Sequence, residues 1–126
     1  MKVAILKLRG VLLTSIQFEL SDDDALQFQS DVLEKVAETE ARAIIIDITG
    51  MDVVDSYMAR VLNDTASMTR LLGARAVICG MHPAVAQTLV ELGRDLVGVR
   101  TALNLDHAMD ILERELAAEG GKPLHG

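Results

Sequence analysis

Asp47, Asp52, Asp55 and Ser56 fall within ten residues of one another, and they are the densest set of chemically capable side chains in the chain. Carboxylates in such a cluster supply the hard oxygen ligands that Mg²⁺ takes. A phosphoryl site of that kind also needs an acidic pair at the end of the first strand and a lysine at the end of a later one. Here the first strand ends Lys7-Leu8-Arg9-Gly10, so the set is incomplete. Each acid also has a plain structural reading: Asp47 ends a strand, Asp52 sits in a turn and Asp55 caps a helix. No metal site is expected. Ser56 has two readings that the residues alone leave open. An Asp-Ser pair at a helix start is ordinary capping. Equally, a hydroxyl exposed at a helix N-terminus can accept a phosphate, whose charge the helix end tolerates, provided a kinase brings the base and the metal. Tyr57 is either an interface anchor or a filler against Phe18 or Phe28.

Little else could do chemistry. The glycines never adopt the GxGxxG or GxxxxGK[ST] spacing, and there is no HExxH or paired-cysteine pattern. Cys79 is alone within an apolar run, which reads as a buried thiol. His107 reads as a solvated helix residue. His82 precedes Pro83 at a strand end, where ligands of open α/β sheets gather, but no nucleophile or base is identifiable beside it. No catalytic residue and no cofactor are expected.

The elements that must position these residues follow from periodicity. Val3–Leu8 alternates as a half-buried strand, Arg9-Gly10 is a turn, and Val11–Phe18 reads as its hairpin partner. Ser21 followed by three aspartates starts a helix with Ala25, Phe28, Gln29, Val32 and Val36 on one face. Ala43–Ile48 lacks polar alternation, the mark of a central strand covered on both sides. After Asp55-Ser56, a stripe of Met58, Val61, Leu62, Thr65, Thr69 and Leu72 predicts a helix closed by Gly73, with Met58 and Met68 as core filler. Ala74–Gly80 is a further apolar strand. Pro83 opens a helix with Val85, Ala86, Leu89 and Val90 inward, ending at Gly93. Leu96–Arg100 is a short strand. Asn104 caps a last helix with Leu105, Ala108, Met109, Leu112 and Leu116 on its inner face. The expected architecture is one α/β domain over residues 1–118, a mixed sheet with an N-terminal hairpin toward one edge and about four helices, followed by a tail over 119–126.

Composition narrows the function class. The 126 residues contain two Phe, one Tyr and no Trp, so the core is aliphatic and an aromatic-lined ligand pocket is not expected. A net charge of -7 argues against nucleic acid and anionic membranes and suits a basic protein partner. The N-terminal apolar run is too short for a signal peptide, and no run reaches membrane-spanning length, so a cytoplasmic location is expected.

The chain as a whole resembles the STAS domains of bacterial anti-sigma-factor antagonists, and within them the RsbS-type proteins of the stressosome. The likeness runs from Ile5 to Leu116. It rests on the Leu12–Leu20 and Ala25–Gln29 segments, on Ile46–Thr49 and Val54-Asp55-Ser56, on Leu71–Ala74, and on His82–Leu89 with Glu91-Leu92-Gly93. The resemblance implies a non-enzymatic scaffold that self-associates, joins RsbR-type STAS paralogues and holds an RsbT-type serine/threonine kinase in sigma-factor control of the stress response. By the same resemblance Ser56 is the serine that this kinase phosphorylates on release, a cognate phosphatase resets it, and Thr88 falls on a second acceptor position. Asp47, Asp52, Asp55 and Tyr57 would form the partner-binding surface. Many antagonists have a small residue and glycine after the acceptor. Tyr57-Met58 stand there instead, a departure that fits the RsbS branch. Two further readings follow: a STAS module holding a nucleotide or other small ligand near Gly80–Pro83, and an antagonist acting directly on an anti-sigma kinase.

Overall fold

The computed structural model describes residues 3–91 and 99–119. Two residues, Arg9 and Gly10, fold the first strand back onto the second. Both have positive φ, 54° and 80°, which is the backbone of a type I′ hairpin turn, and glycine takes the second position at no steric cost. The turn joins β1 (Ile5–Leu8) to β2 (Val11–Ser15), paired antiparallel with Leu8 opposite Val11. From β2 onward the chain alternates: α1 (Asp22–Thr39), β3 (Ala43–Asp47), α2 (Ser56–Leu71), β4 (Arg75–Cys79), α3 (Pro83–Glu91), β5 (Arg100–Ala102) and α4 (Leu105–Ala118). The sheet runs in the order β1-β2-β3-β4-β5, parallel from β2 to β5.

The apolar run of β3 places that strand at the centre, and the alternation of its side chains divides the core in two. Ile44, Ile46 and Ile48 join Leu12, Ile16 and Ile78 beneath α1, α2 and α3, which contribute Phe28, Val32, Leu62, Val85 and Leu89. Ala43 and Ile45 face the other way, with Val11, Val77 and Cys79, under Ala108, Leu112 and Leu116 of α4. Each long helix starts on a side-chain cap: Ser21 accepts from the Asp24 N–H, Asp55 from the Met58 N–H and Asn104 from the His107 N–H. Arg75 of β4 and Arg100 of β5 reach Glu115 of α4 at 2.9 and 3.1 Å, and Arg75 also pairs with Glu119. These bonds fix α4 against the sheet.

Several expected boundaries move. β1 begins at Ile5 rather than Val3, and β2 ends at Ser15, not Phe18, because its register with β3 stops at the pair Ser15–Asp47. Leu72 lies past the last turn of α2 and is half exposed, Met68 lies on the outer face, and Val90 points outward from α3. Leu105 is exposed at the start of α4. The last strand is Arg100–Ala102; the expected start at Leu96 and the helix end at Gly93 lie outside the described residues, as does the tail beyond Glu119. Among the described residues no helix is long and apolar enough to cross a membrane.

Candidate functional site

Ser56 is the first helical residue of α2 and is exposed at the C-terminal end of the parallel strands. Its position is set by the loop before it. Met51 and Val54 are buried anchors, while Asp52, Val53, Asp55 and Ser56 stand outside. The anchors turn through a bond from the Met51 N–H to the Ile48 carbonyl at 2.9 Å. Gly50 is required here for space. A Cβ on it would lie 2.6 Å from both the Cα of Gln17 and the carbonyl oxygen of Ile16, so the β3–α2 loop packs directly onto the backbone leaving β2.

Asp55 sits in extended backbone, φ -82° and ψ 175°, and its Oδ1 accepts the Met58 N–H at 2.8 Å. The cap is therefore made by Asp55, which leaves the Ser56 hydroxyl without a hydrogen bond among the described residues. A hydroxyl so placed lies beside the unpaired N–H groups and positive dipole end of a four-turn helix. Thr88 contrasts with it. That residue is half-buried in α3, and its hydroxyl donates to the Ala84 carbonyl at 2.9 Å.

The carboxylates do not act as one cluster. Asp52 is the most exposed, at 87 % for its side chain. Asp47 is half-buried, and its Oδ1 accepts from the Thr49 backbone N–H at 2.9 Å and the Thr49 hydroxyl at 2.6 Å. It holds the loop rather than facing outward beside Asp52 and Asp55. Among the described residues no three His, Cys, Asp or Glu side chains converge as a metal ion would need. Tyr57 is half-buried against the core under α1 and α2. With Glu19, Leu20, Asp22, Val53 and Asp55 it borders a depression of about 50 Å³, well below the several hundred Å³ that a nucleotide-sized ligand occupies. The rim is acidic and its centre is apolar.

The periodicity of the sequence did not reveal a second layer of support. Nε2 of His82 lies 2.6 Å from the Thr49 carbonyl oxygen, and because a carbonyl only accepts, this nitrogen carries the hydrogen. The same nitrogen is 3.7 Å from Asp52. Gly80, with φ 76°, lets the β4–α3 loop approach so closely that a Cβ would lie 2.1 Å from the Thr49 hydroxyl and 2.7 Å from Asp47. Thr49, Gly80 and His82 thus pin the loop that presents Ser56. The signal for it was a glycine followed two residues later by His-Pro at a strand end, which by itself does not say what the histidine reaches. Cys79, the last residue of β4, is fully buried in the core layer under α4. Loss of solvent, and then the charge of Asp47, push its thiol pKa up to about 11.

Residues 2–108 match the family model described as the STAS domain. Among curated proteins, the chain is 30 % identical over 105 residues to the RsbT co-antagonist protein RsbRA of Bacillus subtilis (strain 168), covering 80 % of this chain but 38 % of that protein. It therefore spans well under half the length of that relative. Among solved structures it is 37 % identical to Moorella thermoacetica RsbS in a serine-to-glutamate form, with a TM-score of 0.82 over 94 % of this chain and 99 % of that one. It is also 38 % identical to a chain in a structure titled as the molecular architecture of the stressosome, a signal integration and transduction hub. That match has a TM-score of 0.77 and covers 90 % of this chain and 98 % of that one. Among the described residues one five-stranded sheet with an N-terminal hairpin and four helices, together with a family match over residues 2–108, place the chain in the STAS domain family.

Proposed function

We propose that the protein is a stressosome scaffold and antagonist that binds an RsbT-type switch kinase and releases it when Ser56 is phosphorylated. The observation that carries this reading is the division of labour at the start of α2. Asp55 does the capping, and Ser56 is left exposed with an unengaged hydroxyl. The likeness to RsbS, to a stressosome chain and to an RsbT co-antagonist supports an RsbR-type paralogue and an RsbT-type kinase as partners; a resetting phosphatase completes the proposed cycle. On this reading the protein is a substrate and not an enzyme. The kinase supplies base, metal and nucleotide, and Asp55 holds the helix end in place.

The release step is electrostatic. A phosphoserine carries about -1.5 to -2 charges at neutral pH. It would arise beside Asp52 and Asp55 and across the depression from Glu19 and Asp22. The helix N-terminus offsets part of that charge, about 0.3–1 kcal/mol when exposed. A partner surface closed over the same place would have to desolvate it among like charges, which is far more costly. Thr88 is the weaker acceptor because its hydroxyl is already spent on the Ala84 carbonyl.

Incubation with the cognate kinase and Mg-ATP, followed by intact mass measurement, tests the assignment. One added phosphate is expected on the wild type and none on Ser56→Ala. A phosphate that persists on Ser56→Ala would sink the assignment, and Thr88→Ala then locates or excludes the alternative acceptor.

A further inference from the structure

We propose that two copies of this chain pair along the outer edge of β1, joining their sheets into one ten-stranded sheet with the strands antiparallel across a two-fold axis. The inference gives the scaffold part of the proposed function a surface, and it rests on that part alone, not on the Ser56 switch.

β1 is the terminal strand of the sheet, so among the described residues nothing pairs with its outer backbone edge. An edge strand is a template for another strand. Its side chains are also more exposed than those of any interior strand. Leu6 is 62 % and Leu8 47 % accessible, on the face where α4 buries Val11 of β2 and packs over β3, β4 and β5. On the opposite face, Val3 and Ile5 pack toward the core under α1, and Lys7 follows Ile5 at the two-residue period that keeps it on that side.

Charge complementarity selects a second copy as the occupant. Between the start of β1 and α1 lies an open groove of about 480 Å³, bordered by Val3, Ala4 and Ile5 on one side and by Asp31, Glu34, Lys35 and Glu38 on the other. Three carboxylates against one ammonium leave the groove wall negative. Glu34 and Glu38 stand four residues apart on one helix, a like-charge spacing that weakens a lone helix. Asp31 accepts from the Gln27 side chain at 2.9 Å, but Glu34 and Glu38 have no ion pair among the described residues. Lys7 and Arg9, at the other end of the same hairpin, have none either. The chain thus carries an acidic groove at one end of β1 and unspent cations at the other, which is self-complementary under a two-fold rotation.

The geometry fixes the register. A two-fold axis perpendicular to the sheet keeps each face with its like, so opposed residues must share a face. Pairing Lys7 with the partner's Lys7 would set like charges opposite each other, which is destabilising. Pairing Leu6 with the partner's Leu6 avoids this and retains most of the strand. It sets Ile5 opposite the partner's Lys7 and brings the partner's Arg9 toward Val3, at the acidic groove. The leucines meet on the other face.

Sedimentation velocity across a concentration series, with the wild type and exposed-residue variants checked for native circular dichroism, tests the interface. The wild type is expected to dimerise reversibly. Lys7→Glu with Arg9→Glu should weaken the dimer by at least about tenfold, and adding Glu34→Lys with Glu38→Lys should restore it. Leu6→Cys should form a covalent dimer under mild oxidation, because opposed strand residues lie within disulfide reach. Lysine on an edge strand can instead serve to block pairing, and Lys7→Thr separates the two roles: a guard's loss would raise association, whereas loss of a partner contact lowers it. A wild type that stays monomeric and a Leu6→Cys variant that does not cross-link would overturn the proposal. A dimer indifferent to charge reversal would overturn this surface while leaving self-association elsewhere intact. Neither result bears on phosphorylation of Ser56, which the mass measurement reads separately.

Discussion

At the residue scale, Asp55 and Ser56 separate two tasks that their sequence adjacency blurs. Asp55→Ala removes the acceptor of the Met58 N–H and should cost about 1 kcal/mol of stability. Asp55→Asn keeps a capping oxygen and should remain within a few tenths of wild type. Urea midpoints at equal slope measure both. Ser56→Ala, which removes no bond among the described residues, should leave that midpoint unchanged. Cys79 gives a pH prediction. Its folded thiol pKa, about 11, lies above the ordinary value of 9.0, so the folded state holds the proton more tightly than the unfolded chain does. Stability is therefore full below pH 9 and falls as pH rises from 9 toward 11. Denaturation midpoints at pH 8.5 and 10.5 should differ more for the wild type than for Cys79→Ala, and native Cys79 should resist alkylation at neutral pH.

At the element scale, two loops meet and the contact between them decides how firmly Ser56 is presented. Gly80→Ala drives a Cβ into the Thr49 hydroxyl and Asp47 at a backbone φ of 76°. Gly73→Ala has a comparable φ of 91° but open space around the new atom. The first should therefore lower the thermal midpoint clearly more than the second, which bears only the backbone strain of about 1 kcal/mol or a little more. Equal effects would mean that the inter-loop contact contributes little. The same comparison shows why some of the site was legible in the sequence and some was not. Four consecutive buried residues in β3, the Asp55 cap and the aspartates after Ser21 are local signals, and each falls where its chemistry implied. The pairing of His82 with Thr49 spans 33 positions and exists only because β4 lies beside β3. The bonds from Thr49 to Asp47 turn that carboxylate into a loop support, whereas closeness in sequence had grouped it with Asp52 and Asp55. Leu72 and Val90 continued helical stripes in sequence, yet a stripe does not reveal where a helix stops or where its neighbour ends.

At the scale of the whole molecule, charge is unevenly placed. The loops at the C-terminal ends of the parallel strands carry Glu19, Asp52 and Asp55 near Ser56, Asp22 opens α1 beside them, and the described residues of those loops include no lysine or arginine. A basic partner approaching this end is steered by a field that added salt weakens. Kinase association should therefore slow as ionic strength rises, and Asp52→Asn with Glu19→Gln should reduce both the rate and its salt dependence. Stopped-flow association at two salt concentrations measures this. An association rate indifferent to salt would place the contact elsewhere on the surface. The β1 edge lies on a different part of the sheet from the Ser56 loop, so the proposed pairing through one and the proposed switch at the other are compatible in a single small domain. The central claim is that phosphate on Ser56 ends the hold on the kinase. Calorimetric titration of the cognate kinase into unphosphorylated and singly phosphorylated protein tests it most directly: the phosphorylated form should bind at least about tenfold more weakly, and equal affinities would contradict the account.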